Sequence, residues 1–511
     1  MFRKYFIRYK DKPGEKKKYE EIKFDALKES MKYFESTESS VDDITWDDLN
    51  MDKVYTKMNY TLTTPGEEYL YNWLRNPLDN DASIEQRKKL LDDVKEYEGQ
   101  GLEGIGYCDY DFKDVVKNGF KSSFAMLSVF ALLALSSVAL IVYSAIIKEL
   151  TLLPVLGALF LVNLLIHYKF SLKYGAQMDI LIYTLKILSY SSKNKKTLKK
   201  IMPKLVLSVE AFDESFVSVM NKVVSLFKKE GMDLIADYIN ITFLIKEINF
   251  LIVSMKIDRR RQELFNVYDG IGKIDACRSI LRYRKDLKYY SEPEFISGRN
   301  EMSLEEVYHP LIEDFVSNSI GAKESVAITG SNMSGKSTFL RTLGINALFS
   351  QSIITSLSKS YSGEFCRLIT SISLSDNIMN NKSFFLMEAE AIKRMISYKD
   401  DDYPSLVLID EIFKGTNPTE RLAASVEILN LLAMSNVKVF VATHDLPILK
   451  DLDMYEFYYF KENVTDESLS FDYKIHKGIS NTRNAIKILK YVKYPESLLN
   501  NINGRISTME V

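Results

Sequence analysis

Nine consecutive residues carry the clearest chemistry in this chain: Gly330-Ser331-Asn332-Met333-Ser334-Gly335-Lys336-Ser337-Thr338. Two glycines, a lysine and a following hydroxyl at this spacing form a loop whose backbone N–H groups cradle phosphates. Lys336 then reaches the β- and γ-phosphates, and the Ser337 hydroxyl can ligate Mg²⁺. Further on, the apolar run Leu406-Val407-Leu408-Ile409 ends in Asp410-Glu411. An acid at that point can hold the hydration shell of Mg²⁺, and the next one can polarise an attacking water. A third run, Val437 to Ala442, ends in Thr443-His444-Asp445 and brings a polar sensor residue to the same crevice. The chemistry implied is Mg²⁺-dependent ATP hydrolysis, with Lys336, Glu411 and His444 acting on phosphate and water, and Ser337 and Asp410 on the metal.

These residues need particular elements to hold them. Ser325-Val326-Ala327-Ile328 reads as a strand before the loop, and Phe339-Leu340-Arg341-Thr342-Leu343 as the helix after it. Neither acidic nor histidine run alternates, as expected for strands buried on both faces of a parallel sheet. The expected fold is therefore an α/β P-loop (ABC-type) ATPase domain, with nucleotide at the open carboxyl edge of the sheet.

The same stretches resemble one family. Thr329 to Arg341, with Asn332-Met333 inside the loop, is similar to the phosphate loop of MutS-type mismatch-repair ATPases. Asp410-Glu411-Ile412-Phe413-Lys414-Gly415-Thr416-Asn417 resembles that family's Asp-Glu-Ile-Gly-Arg-Gly-Thr-Ser, and Ala442-Thr443-His444 its Ala-Thr-His. The resemblance implies that Phe315 and Val316 lie beside the adenine. It also implies that Ser383 reaches the γ-phosphate bound by a second subunit, in an ATP-dependent homodimer, and that DNA is the partner. Thr61 to Pro65 with Gly66, Trp73 to Leu78, Ile84, Arg87 and Leu91 resembles the start of the family's helical core, and Tyr268 to Ala276 its end; Tyr473-Lys474-Ile475 with Gly478, Ala485 and Ile486 resembles the closing strand and helix of the ATPase. Three substitutions depart from the pattern: Ser334 and Phe413 each stand at a glycine position, and Lys414 at an arginine. The short stretch ahead of the core match leaves no room for mismatch-reading and connector domains of ~100 residues each. The short stretch after Lys490 implies an abbreviated dimer-locking tail.

A second feature is hydrophobic. From Ser122 to Ile147 there is no charge, and from Leu150 to Tyr168 only the neutral His167 interrupts the apolar run. At ~1.5 Å per residue these helices would span roughly 39 and 28 Å, enough for a ~30 Å hydrocarbon layer. Lys148-Glu149 separates them, so the reading is a tight transmembrane hairpin. Lys113, Lys117 and Lys121 before it and Lys169 and Lys173 after it place both ends in the cytoplasm.

The 511 residues, 46% hydrophobic, can hold two or three domains, and the net charge of −2 hides local asymmetry, since an acidic segment from Glu35 to Asp52 coexists with basic ones. Cys108, Cys277 and Cys366 have no paired spacing, which implies neither a metal site nor a disulfide framework. Lys193, Lys195, Lys196, Lys199, Lys200 and Lys204 form the densest basic cluster, suited to phosphates of nucleic acid or lipid, or to a solvated loop. Arg259-Arg260-Arg261 reads as a solvated face, and residues 179–280 as long amphipathic lever helices. The expected organisation is an N-terminal segment and first part of the helical core (1–120), the membrane hairpin (121–169), all-α lever and core helices (170–300), and the ATPase domain (301–511). The function expected is an integral membrane ATPase with cytoplasmic ATPase and lever domains, acting on DNA without mismatch reading. The alternative is a membrane-anchored ATPase that drives a protein or membrane partner with no nucleic acid.

Overall fold

The computed structural model describes residues 17–97, 101–108, 112–120, 122–147, 150–212, 234–296, 298, 301–331, 334–372, 384–413, 417–464, 469–479, 489–490 and 492–509. A helical region precedes a carboxy-terminal region of mixed α/β sheets. The strands are β1 (Glu294–Phe295), β2 (Met302–Val307), β3 (Asn318–Ala322), β4 (Ser325–Thr329), β5 (Ser360–Gly363), β6 (Arg367–Ser371), β7 (Ser405–Asp410), β8 (Val437–Ala442), β9 (Tyr455–Val464) and β10 (Leu469–Lys477). Six of them form one sheet in the order β10-β9-β4-β8-β7-β6. All neighbours in it are parallel except β9 and β10. Every residue of β4 and β8 is buried, which is why their sequences run apolar without alternation. The phosphate loop leads into helix Lys336–Ile353. A smaller sheet, β1-β5-β2-β3, was not foreseen from the sequence.

Strand β6 lies at the edge of the six-stranded sheet, where unpaired N–H groups need cover. The acidic segment near the amino terminus supplies it. Helix Asp43–Asp48 sits against β6, and Asp48 Oδ2 accepts from Thr370 Oγ1 at 2.6 Å and Ile372 N at 2.9 Å. Arg341 Nε donates to the Asp48 carbonyl at 2.8 Å, and Arg367 Nη2 meets Glu38 at 3.0 Å. The amino-terminal segment is thus built into the nucleotide domain.

Helices Thr64–Arg75 and Arg261–Asp286 pack tightly along each other. A methyl at Gly66 would meet Asp275 Oδ2 at 2.1 Å, and one at Gly272 would meet Tyr69 Cδ2 at 2.4 Å. Asp275 is fully buried and accepts from Leu62 N, Thr63 N and Thr63 Oγ1 at 2.9, 2.9 and 2.7 Å. The two stretches read as opposite ends of the helical core therefore touch. At its carboxyl end this second helix reaches the nucleotide domain: Arg284 donates to Ile354 O at 2.6 Å, Ile353 O at 3.3 Å and Thr355 Oγ1 at 2.9 Å. Those groups terminate the helix that follows the phosphate loop, so one guanidinium fills orphan carbonyls there.

Helices Phe124–Ile147 and Leu153–Lys193 are each long and apolar enough to cross a membrane, and their apolar stretches are largely uncovered by the rest of the protein. The second runs on without a break into the helical core. The described residues between 179 and 280 are helical, as expected, but with more breaks than the sequence pattern suggests. They break into helices ending or starting at Lys193, Lys195–Ile201, Pro203–Glu210, Leu234–Phe243, Ile245–Asp258 and Arg261–Asp286. Pro203 and the left-handed Leu244 (φ 46°) mark two of the breaks. Helices Leu234–Phe243 and Ile245–Asp258 pack on the hairpin. The arginine run lies on an exposed face, as expected of it, with Arg259 and Arg260 exposed and Arg261, partly exposed, donating to Lys117 O at 3.0 Å.

Candidate nucleotide site

The carboxyl ends of β4, β7 and β8 converge on a cavity of about 660 Å³. Gly330, with φ 140°, opens the loop after β4; a methyl there would meet Phe460 O at 3.0 Å, so the backbone passes too close for any side chain. Gly335, with φ 105°, turns the chain into the helix. Lys336 folds back over the loop and donates to Gly330 O and Ser331 O, both at 2.7 Å. Ser334 is buried and closes the loop through Ser331 O at 2.8 Å, so it fits a glycine position without strain. Asn332 and Met333 lie outside the described residues, as do Lys414 and Ser383. Thr338 lines the cavity beside Lys336 and Ser337.

Ser337 Oγ donates to Asp410 Oδ2 at 2.5 Å, across 73 positions of sequence. The two groups expected to share a metal are therefore in contact, as a hydroxyl and a carboxylate that could both turn their oxygens to one Mg²⁺. Glu411 follows in the left-handed region (φ 64°), with its N–H bonded to Ala442 O at 2.9 Å. Its carboxylate pairs with His444 Nε2, and His444 Nδ1 faces Gly330 O at 3.4 Å. The bond to Glu411 raises the His444 pKa above the ordinary histidine value, against burial and the Lys336 charge. Phe413 also has a positive φ, 56°, at a conformation easiest for glycine; its ring is buried and meets Phe385 at 5.4 Å.

The other wall is aromatic. Phe315 stacks on Tyr308 with ring centroids 4.1 Å apart, and both line the cavity with Val316. Phe315 is thus a packing residue and a cavity residue at once. Sequence reasoning did not assign Tyr473 to the site. It lies in a register shift of β10, at φ 53°, with Asn318 Nδ2 bonded to its carbonyl at 2.9 Å. A methyl on Gly335 would stand 3.4 Å from its ring, so the ring overhangs the phosphate loop. No sequence signal marks that bulge. His309, also in the wall, is held neutral, its pKa lowered to about 4 by burial and then by Arg341 and Lys57.

The lysine cluster lies elsewhere. Lys200 and Lys204 line a cleft of about 1030 Å³ together with Arg87, Lys89 and Lys273, opposite Asp93 and Asp269, whereas Lys195 pairs with Glu210 at 3.0 Å.

A six-stranded, mainly parallel sheet with a glycine loop, a lysine and an Asp-Glu pair at its carboxyl edge defines a P-loop ATPase-like domain. Residues 326–510 match the family model described as MutS domain V. The chain is similar to the DNA mismatch repair protein MutS of Thermotoga petrophila, with 27% identity over 48% of this chain and 32% of that protein. It is also similar to Endonuclease MutS2 of Latilactobacillus sakei, with 30% identity over 48% and 32%, and to Endonuclease MutS2 of Staphylococcus carnosus, with 32% identity over 43% and 28%. Together these matches support a MutS-family protein. The chain spans about a third of the length of the curated relatives it matches.

Proposed function

We propose that this chain is a membrane-anchored, Mg²⁺-dependent ATPase of the MutS type that acts on DNA from the cytoplasmic face. One observation carries the ATPase reading: Ser337 bonded to Asp410, with Lys336 and Glu411 lining the same cavity and His444 bonded to Glu411. Bound ATP and Mg²⁺ would supply the reacting phosphate and neutralise its developing charge. Lys336, released from Gly330 O and Ser331 O, reaches the phosphates; Ser337 and Asp410 hold the metal. Glu411 orients the attacking water, and His444 positions Glu411 and reports on the γ-phosphate. Phe315, Val316 and Tyr473 hold the base side.

The anchor rests on the length, apolarity and exposure of Phe124–Ile147 and Leu153–Lys193. Helix Ile245–Asp258 returns to the hairpin's base, where Asp258 accepts from Phe120 N at 3.1 Å. DNA is favoured by the names of the relatives and by the basic cleft at Lys200 and Lys204. Ser383 of a second copy is proposed to complete the γ-phosphate site of an ATP-dependent homodimer.

The test is DNA binding by the full-length, detergent-solubilised chain across a salt series. Contacts to phosphates should weaken binding by roughly tenfold or more between 50 and 200 mM salt. Absence of salt-dependent binding in a chain that still hydrolyses ATP would transfer the role to a protein or membrane partner.

A further inference from the structure

The apolar bundle hides a polar cluster that the ATPase does not use. Asn163 and His167 stand one turn apart on the same face of helix Leu153–Lys193. His167 Nδ1 meets Glu247 Oε1 at 2.6 Å, and Asn163 Nδ2 donates to Thr242 O at 2.8 Å. Glu247 is 1% exposed and Asn163 fully buried. Among the described residues, Glu247 Oε2 and Asn163 Oδ1 have no hydrogen-bond partner. Two buried oxygens left unsatisfied in one apolar setting are costly, so they mark a place where something else binds.

The backbone points the same way. Helices Leu234–Phe243 and Ile245–Asp258 meet at Leu244, which is left-handed, with no side chain capping the second helix. The Asp237–Phe243 part of the first is bent by 64° from the second. The carboxyl end of one helix therefore meets the amino end of the next, which carries Glu247 in its first turn; Thr242 O and Leu244 O, bonded to Asn163 Nδ2 and Ile248 N, each keep a second lone pair. Broken helices of this kind inside a membrane bundle offer carbonyl oxygens to small cations. Near the break Lys246 and Asp237 face each other at 3.8 Å, and helix Phe124–Ile147 carries no Asp, Glu, Lys, Arg or His.

We infer that Glu247 Oε2, Asn163 Oδ1 and the carbonyls at the Leu244 break bind a dehydrated alkali-metal cation, Na⁺ or K⁺. One carboxylate balances one positive charge, and all the ligands are oxygens. A divalent ion would draw on more carboxylates than the cluster has. His167 is a positioning residue: it holds Oε1 and leaves Oε2 turned to the cation. The inference takes from the proposed function only that the bundle lies in an apolar medium.

The test uses the full-length chain in detergent, unfolded thermally in NaCl, KCl or N-methylglucamine chloride at matched ionic strength. A ligand that binds only the folded chain raises the midpoint saturably with its concentration. The midpoint is expected to rise in Na⁺ or K⁺, and the rise to vanish in Glu247→Gln and in Asn163→Ala. If Glu247→Gln fails to fold, Asn163→Ala decides, with equilibrium binding of radioactive Na⁺ or Rb⁺ expected to weaken by about tenfold or more on loss of a ligand oxygen. Equal midpoints in all three salts mean that water alone fills the cluster and overturn the inference. So does a rise of unchanged size in both variants. Membrane fractionation is read separately, so failure of the anchor and failure of this site remain distinguishable.

Discussion

Two glutamates in this molecule are bonded to histidines, and their surroundings separate them. The Glu411 and His444 side chains are 20% and 41% exposed, and Glu411 lines the open cavity beside the phosphate loop. The Glu247 and His167 side chains are 1% and 26% exposed, in a bundle whose outer face is apolar. In the first pair a strained backbone aims the carboxylate at an open space. In the second the carboxylate is walled in and half its acceptors are left over. The same two side chains can thus serve water activation in one place and ion retention in another. Access and spare acceptors decide which.

The largest expected effect is on turnover. Glu411→Gln should bind ATP and hydrolyse it about 100–1000-fold more slowly, as when a transition-state contact is removed; wild-type rates in steady-state assays would take Glu411 out of its role. The same variant should cost less in unfolding than loss of a buried pair, since the Glu411 and His444 side chains are solvent-accessible. Glu247→Ala should do the converse, costing about 1–3 kcal/mol in denaturant unfolding because the half-buried His167 loses its buried partner. A cost below about 0.5 kcal/mol, the range of ordinary surface changes, would dissolve the contrast.

A third acid sharpens it. Asp275 is buried without a histidine, and burial pushes its pKa up to about 6, against its hydrogen bonds to Thr63 and Leu62. The folded chain then holds its proton more tightly than the unfolded one. Its contribution to stability is fully present below about 3.8 and is lost as pH rises through about 6. Unfolding measured across that window should show stability falling with pH, and Asp275→Asn should flatten the fall. For His444 the sign is the same but the window is higher: stability from the Glu411 pair is complete below 6.5 and is lost as pH rises through the elevated value. His444→Ala should erase that loss. The smallest effect is at the base side: Tyr473→Ala should cost ~1 kcal/mol of ATP affinity, about fivefold by titration.

What could be read from sequence follows the range of the interactions. Lys336, Ser337, Asp410, Glu411 and His444 were legible because each sits at the end of a buried strand or in a loop of fixed spacing. The sheet then brings Ser337 to Asp410. Glu247 was not legible: it reads as one charge in a helical stretch, and its partner lies 80 positions away. Nor was the edge cover by Asp48, because an acidic run looks solvated until β6 offers its N–H groups. Tyr473 depends on a register shift that no residue type announces.

The anchor beside the ATPase is the central claim, and fractionation of the full-length chain tests it most directly. After carbonate and high-salt washing, ATPase activity is expected in the membrane pellet, and to be absent from the same pellet when Lys336→Ala replaces the native chain. Recovery of the active full-length chain in the soluble fraction without detergent would contradict it and make Phe124–Ile147 and Leu153–Lys193 a helical bundle covered by something other than lipid.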